Sequence, residues 1–380
     1  MPDSILRWAQ SKQKEILTFL GELVLCESPS GNSAAIEAFA QIVENSISDF
    51  ARVKRYKGGA YGPHIQCEFN LPGNRKQGQI LALGHSDTVY PLGTLERMPY
   101  HEKNGRLWGP GVFDMKGGIA MFVYAMRALK ELDIPVKRRI VLQLNSDEEI
   151  GSPSSRSLTE KEAQRSVAVL VLEPSAGVDG KAKTGRKGVG DYTVTVRGKA
   201  AHAGLDFTSG ANAIVELARQ IEVIASFTDL DRGLTVNPGV ISGGTRTNVV
   251  AEAAQVAVDF RIARLKDAAV LHRQFLRLKP FDKRCTVSVT GGLNRPPLER
   301  TPAVIALFRK AQGLASEIGF PLEETSVGGG SDGNFTAALG IPTLDGIGAV
   351  GEGAHTPQES ILVDRIADRT ALLARLAASL

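Results

Sequence analysis

Acidic and imidazole side chains recur at the ends of apolar runs in this chain. His85, Ser86 and Asp87 directly follow the run 79–84. Extended backbone points residues two apart to the same side, so His85 and Asp87 face one way. A metal-binding imidazole needs its other nitrogen held, and a carboxylate commonly does this. An aspartate closing a turn beside a surface histidine would give the same pattern. Asp147, Glu148 and Glu149 follow the run 139–144. Three adjacent acids repel one another unless a cation or a proton intervenes, although a solvated acidic turn is the plain alternative. Glu173 follows the run 167–172 in the same way. Asp114 stands in Gly-Pro-Gly-Val-Phe-Asp-Met-Lys-Gly-Gly before a helical stretch; alone it reads as an N-cap. His355 lies in Gly-Glu-Gly-Ala-His-Thr-Pro and His202 in Lys-Ala-Ala-His-Ala-Gly. His64, His101 and His272 lack such a setting and read as structural or solvent-facing.

These groups need elements to hold them. Helical spacing covers 3–25 and 33–47, and strand-like runs cover 63–70 and 79–84. A helix from Gly118 to Leu132 precedes the apolar runs 139–144 and 167–172. Near-continuous apolar strands alternating with helices imply an α/β fold, with a mostly parallel sheet covered on both faces. Sites in such sheets form at the carboxyl ends of strands. Those ends here carry His-x-Asp, Glu-Glu and Glu.

The middle of the chain changes character. Tyr192, Val194 and Val196 alternate with polar residues; a helix fits 211–227, strands fit 234–241 and 256–262, a helix 266–278 and a strand 284–290. The order β-α-β-β-α-β is the ferredoxin-like unit. Gly-rich stretches bound it, so an inserted domain is expected at 185–292, within a larger domain made of 1–184 and 293–380. A helix at 301–318, a short strand at 341–344 and a helix at 360–379 follow. In the last, Leu362, Ile366, Leu373 and Leu376 form a stripe.

Composition narrows the function. With 380 residues, 43% hydrophobic and 23% charged, the chain is neither disordered nor a small disulfide scaffold. No apolar run reaches the ~18 residues of a membrane helix. A net charge of +4, dispersed along the chain, argues against nucleic acid as a partner. The N-terminal stretch reads as an amphipathic helix rather than a signal peptide. Cys26, Cys67 and Cys285 are odd in number and far apart, which suits buried thiols in the cytoplasm.

Two motifs compete. Gly346-Ile-Gly-Ala-Val-Gly351 matches a dinucleotide fingerprint, but that motif must open a helix. Gly329-Gly-Ser-Asp-Gly333 matches a serine-hydrolase elbow with Ser331 as nucleophile. Between Ser331 and His355 only Asp345 and Glu352 could serve as the acid.

From about residue 15 to the C-terminus, this set of motifs and its order resemble one family: the co-catalytic di-zinc metallopeptidases. They include bacterial glutamate carboxypeptidase, aminoacylase, acetylornithine deacetylase and succinyl-diaminopimelate desuccinylase. The resemblance implies a zinc-peptidase-like sheet and two Zn2+ per subunit, with Co2+ or Mn2+ as substitutes. Asp114 would bridge the ions, His85 and Glu173 completing one site and Glu149 and His355 the other. Asp87 would orient His85, and Glu148 would be the general base. The inserted domain would form a homodimer and bring His202 to the partner's site. Glutamate carboxypeptidase is the nearest likeness. By it, Asn248, Arg295, Lys181 and Gly330 of the Gly-Gly-Gly-Ser-Asp box would hold substrate, with Lys183 and Lys187 competing with Lys181. Arg295 reads equally well as a hinge ion pair. The usual Asn after the bridging aspartate is Met115 here. The implied activity is hydrolysis of an amide beside a free α-carboxylate in a small peptide. Deacylation of an N-acyl amino acid is the rival, and a serine hydrolase using Ser331 a remote third.

Overall fold

The run 79–84 forms a strand, Gln79–His85, in which every residue is buried. Alternate side chains serve opposite faces of a sheet. Ile80 and Ala82 join the main core; Leu81 and Leu83 join a second cluster with Val141, Val169 and Val171. The computed structural model describes residues 4–380. By contact the chain divides into two units: residues up to Gly185 with Arg300–Val327 and Ser331–Leu380, and Arg186–Glu299 with Gly328–Gly330.

The first unit holds strands β1 (Ala51–Lys57), β2 (Pro63–Phe69), β3 (Gln79–His85), β4 (Arg139–Asn145) and β5 (Ser166–Val171). With the short strand Thr343–Leu344 they form one sheet in the order β1-β2-β4-β3-β5-(Thr343–Leu344). The pairings from β4 onward are parallel, while β1 with β2 and β2 with β4 are antiparallel. The register sets His85 beside Asn145 and Leu83 beside Val171. Residues 86–87, 146–149 and 172–173 therefore leave the sheet along one edge. Helices Ser33–Ile47, Gly117–Glu131 and Ile366–Ser379 bring Phe39, Phe122 and Leu372 to the main core. Arg156–Ala163 brings Ala163 to the second cluster.

One packing contact bears directly on the sheet edge. A Cβ at Gly118 would lie 2.0 Å from the Leu172 carbonyl oxygen, and one at Gly348 would lie 2.1 Å from the same atom. Only glycine lets both segments close on the residue that precedes Glu173.

The elements depart from expectation in several places. The helix expected over 3–25 is two helices, Ser4–Ser11 and Gln13–Leu25, and Asp3 lies outside the described residues. Lys12 leaves helical geometry (φ −97°, ψ 3°), yet its N–H still reaches the Trp8 carbonyl. The last helix begins at Ile366 rather than 360, because Ser360–Leu362 pairs as a strand with Arg106–Trp108. Leu362 thus belongs to a small sheet, a case of tertiary pairing overriding local pattern. Strand β1 has no counterpart in the sequence reading: Arg52, Lys54, Arg55 and Lys57 disguise it, and charge of this kind suits an edge strand.

The second unit is antiparallel throughout. Strands β6 (Gly188–Arg197), β7 (Thr235–Gly243), β8 (Ala253–Ile262) and β9 (Thr286–Arg295) lie in the order β7-β8-β6-β9. Helices Ala213–Ala225 and Leu265–Leu276 supply Leu217, Leu271 and Phe275 to a core with Val194, Val196, Val256 and Val258. This unit runs past the Gly291–Gly292 pair to Glu299. Those glycines sit inside β9 rather than in a linker. Gly291 (φ 109°) lets the strand approach the Asp191 carbonyl, which a Cβ would meet at 2.3 Å. Among the described residues no helix is long and apolar enough to cross a membrane. All three cysteines are free; Cys67 and Cys285 are buried, Cys26 only partly.

Two glycine substitutions with opposite expected signs test the packing at the sheet edge. Gly118→Ala should lower stability by about 1–3 kcal/mol, as overpacking does. Gly313→Ala, with open space around a helical position, should raise it by about 0.5–1 kcal/mol. Urea unfolding midpoints of the two variants check both.

Candidate metal centre

His85 closes β3 with its ring buried. Its Nδ1 lies 2.9 Å from the backbone carbonyl of Asp87, so Nδ1–H donates there and Nε2 is left facing inward. The Asp87 carboxylate is 3.6 Å from Nδ1, beyond hydrogen-bond distance but within reach of ion pairing. It accepts the backbone N–H groups of Glu148 and Glu149, each at 3.2 Å, and the Ser30 hydroxyl at 2.7 Å. The direct hydrogen bond to the ring thus comes from the main chain of Asp87, and the carboxylate also caps the turn that presents the glutamate pair. Burial pushes the Asp87 carboxyl up to about 6.

Asp147 is not part of an acidic trio at the site. Its buried carboxylate accepts the N–H and hydroxyl of both Ser154 and Ser155, which ties the turn down from beneath. His64, read as structural, is buried there, accepting the Ser146 N–H through Nδ1. His101 is exposed, and His272 stacks on Tyr192.

Asp114 has an imidazole on each oxygen. Its Oδ1 is 3.1 Å from His85 Nε2 and its Oδ2 is 3.4 Å from His355 Nε2. Glu173 Oε1 lies 3.5 Å from His85 Nε2, and Glu149 Oε2 lies 3.2 Å from His355 Nε2. Glu148 groups with His85 and Glu173, their ligand atoms within 4.8 Å; His85, Asp114 and Glu149 form a second such group. The pairwise distances bring the five expected ligands together on one unit, Glu173 nearest His85 and Glu149 nearest His355, while the ligand-atom groups also draw Glu148 to His85 and set Glu149 with His85. His355 reaches its place from a left-handed backbone, φ 62°, rare for a side-chain-bearing residue.

The electrostatics are those of a site built for cations. Burial opposes charge on His85, yet Asp114 and Glu173 raise it well above the usual imidazole range. Hydrogen bonds that His355 donates to Asp114 and Glu149 raise it to about 10. Burial also opposes charge on Asp114, and the two imidazoles overcome it, holding the carboxyl well below the usual range. One buried atom supports the fit directly: Glu149 Oε1 has no hydrogen-bond partner among the described residues, and a buried carboxylate oxygen left so is costly. Oxygen-rich ligands with two imidazoles suit zinc, manganese or cobalt.

The remaining expected residues lie elsewhere. In the second unit, His202 and Asn248 are both exposed and their segments adjoin, the Ala203 N–H donating to the Asn248 carbonyl at 3.0 Å. His202 Nδ1 accepts the N–H groups of Gly204 and Leu205, each at 3.1 Å. That places the ring proton on Nε2, which becomes an outward donor. Arg295 is buried at the end of β9, and the Gly330 carbonyl accepts from Arg186 at 3.2 Å. On the first unit Lys181 pairs with Glu323 at 2.8 Å at the surface. Ser331 is fully buried and its hydroxyl donates to the Asp345 carboxylate rather than to an imidazole, so the elbow reading fails. The 346–351 segment opens no helix, which disposes of the dinucleotide reading. No sequence signal points to Ser30, 57 residues from the carboxylate it meets. Nor does any reveal that Met115 Sδ receives the His85 N–H at 3.2 Å.

Residues 81–379 match peptidase family M20/M25/M40. The chain belongs to this family. It is a metallopeptidase-type hydrolase. Over 377 residues it is 30% identical to carboxypeptidase G2 of Pseudomonas sp. (strain RS-16), covering 97% of this chain and 90% of the relative. It is 33% identical to acetylornithine deacetylase of Myxococcus xanthus over 194 residues, covering 48% of this chain and 49% of that one. The solved structure of aminopeptidase PepT from Bacillus cereus shares the fold, with a TM-score of 0.79 at 23% identity, covering 96% of this chain and 98% of that one.

In this M20 chain, Asp87→Asn tests the capping of the glutamate turn. The amide keeps one acceptor oxygen and leaves a buried N–H without a partner, at about 1–3 kcal/mol. Denaturant melts should show that loss, and hydrogen exchange should accelerate at the Glu148 and Glu149 amides. Unchanged exchange at both amides would return the residue to an imidazole-orienting role.

Proposed function

We propose that this protein hydrolyses an amide bond next to a free α-carboxylate and releases a C-terminal amino acid, glutamate in the first instance. One observation carries the reading: Asp114 presents one oxygen to each of two imidazoles, while Glu148 and Glu149 are adjacent on a capped turn. The 30% identity to carboxypeptidase G2 supports the choice of substrate.

His85, Glu173 and Asp114 would hold one ion; Glu149, His355 and Asp114 the other. Two bound divalent ions, zinc in this reading, supply Lewis acidity and bring a water's pKa toward neutrality. Glu148 takes the proton of the attacking water and delivers it to the leaving amine. Its neighbour Glu149 is fixed by His355, so the adjacent pair divides ligation from proton transfer. His202 offers Nε2–H to the carbonyl oxygen as negative charge develops there. Arg295, Asn248 and Gly330 receive the substrate's carboxylate end. Lys181 could join them only by giving up Glu323.

A homodimer through the second unit, with His202 acting on the partner's substrate, belongs to the same reading. What supports it is the edge strand β7, whose Val240 and Ile241 are 68% and 58% exposed. Long exposed apolar edges invite pairing with another strand. The three free thiols support a cytoplasmic setting. The 33% identity to acetylornithine deacetylase favours the rival, removal of an acyl group from an N-acyl amino acid.

A panel of folyl-type glutamates, dipeptides and N-acyl amino acids, with products read by mass spectrometry, separates the two. Release of glutamate from the first class supports the proposal; turnover of N-acyl amino acids alone supports deacylation. Chelation should abolish turnover, and zinc, cobalt or manganese should restore it. Glu148→Gln should lower kcat about 10²–10⁴-fold with metal content unchanged, whereas Glu149→Gln should lose metal. The reverse pattern would exchange the two roles.

Mixing two inactive variants, Glu148→Ala and His202→Ala, tests the dimer. If random subunit exchange forms an isologous pair, about a quarter of wild-type sites should return. No recovery after verified exchange would place His202 within its own chain's chemistry or outside it.

A further inference from the structure

We propose that Glu359 is a positioning residue of the metal centre, locking the main chain of Asp114 and the loop of His355 into one register; this rests on the metal-centre reading above. Glu359 is fully buried. Its Oε1 accepts the backbone N–H of Phe113 at 2.8 Å and of Asp114 at 2.9 Å. Its Oε2 accepts the N–H of Gly111 at 3.0 Å and the Tyr90 hydroxyl at 2.6 Å. An ionised carboxylate has about four acceptor sites, and here four donors fill them.

The donors come from two segments besides Glu359's own. Tyr90 lies five residues after His85, and 111–114 is the loop that ends in the bridging aspartate. Glu359 itself lies four residues after His355, and its N–H returns to the Thr356 carbonyl at 3.2 Å. One carboxylate thus ties together the chain around His85, Asp114 and His355. A bond to the Asp114 N–H fixes the backbone from which the bridging carboxylate projects. Groups that orient ligands in this way change metal affinity by about 10–100-fold when removed.

The chemistry requires a carboxylate rather than an amide at this position. In Glu359→Gln the amide oxygen could keep Phe113 and Asp114, and Tyr90 could turn its proton to the Thr356 carbonyl, already 3.1 Å away. The Gly111 N–H would then face an NH2 group and lose its acceptor. Glu359→Ala removes all four bonds, and Tyr90→Phe removes one that does not touch Asp114. The three substitutions should therefore form a graded series in metal binding.

The test titrates metal-free protein with Zn2+ and Co2+ by calorimetry and records the Co2+ absorption spectrum. Wild type should bind two ions. Glu359→Ala should lose about 10–100-fold in affinity at both sites with an altered Co2+ spectrum. Glu359→Gln should lose less, and Tyr90→Phe least. Val43→Ala, a core truncation in the helix Ser33–Ile47, controls for lost stability and should keep wild-type affinities. If Glu359→Ala does not fold, Glu359→Gln decides. Wild-type affinity and spectrum in the glutamine variant, or losses equal to those of Val43→Ala, would overturn the positioning role. Failure of the wild type to bind two ions would overturn the metal-centre reading instead.

Discussion

A buried carboxylate with an imidazole on each oxygen is the constraint that organises the first unit. Asp114 can face both His85 and His355 only if three separate chain segments arrive within ångströms of one another. Glu173 and Glu149 then add negative charge at the same two Nε2 atoms that face Asp114. Carboxylates outnumber imidazoles at this point, so the arrangement is poor as a closed ion-pair network and well suited to bound cations. The parallel strands β3, β4 and β5 make the convergence cheap, because one register aligns all three exits.

Acids also build the scaffold around that centre, by accepting main-chain hydrogen bonds rather than by meeting ions. Asp87 holds the Glu148 and Glu149 amides, and Asp147 holds the Ser154 and Ser155 amides. Hydrogen bonds to ionised acceptors are stronger than neutral ones, and each of these falls on a loop where regular pairing has stopped. The loops thereby gain a rigidity that sheet pairing cannot give them. The same residue type thus serves two purposes within a few residues: ligand candidates gather around the two imidazoles, and structural acids accept main-chain N–H groups.

How far the sequence reveals this depends on what each residue needs from its neighbours. His85, Glu148, Glu149 and Glu173 are legible because each follows an apolar run, and such runs become buried strands whose ends gather. Asp114 and His355 carry no such signal of their own and emerge only through the family resemblance. Asp87 is legible in place, but its capping of the Glu148 and Glu149 amides is not, since spacing does not distinguish a carboxylate from the carbonyl of the same residue. Asp147 misleads because adjacent acids look alike until the chain turns between them. The early start expected of the last helix has a similar origin: Leu362 fits a helical stripe, and only pairing with Arg106–Trp108 makes it a strand residue. Ser30 and Met115 act across long separations or through an unusual acceptor, and one sequence carries no trace of either.

The carbonyl of Leu172 is enclosed by Gly118 and Gly348, each too close to tolerate a methyl group. That enclosure has a bearing on how such a protein can diversify. A lineage exploring new substrates cannot do so by shifting the peptide before Glu173, because any side chain at either glycine strikes backbone rather than a yielding neighbour. Variation at either glycine is closed to such a chain, whereas Gly313, with open space around it, leaves room for a side chain.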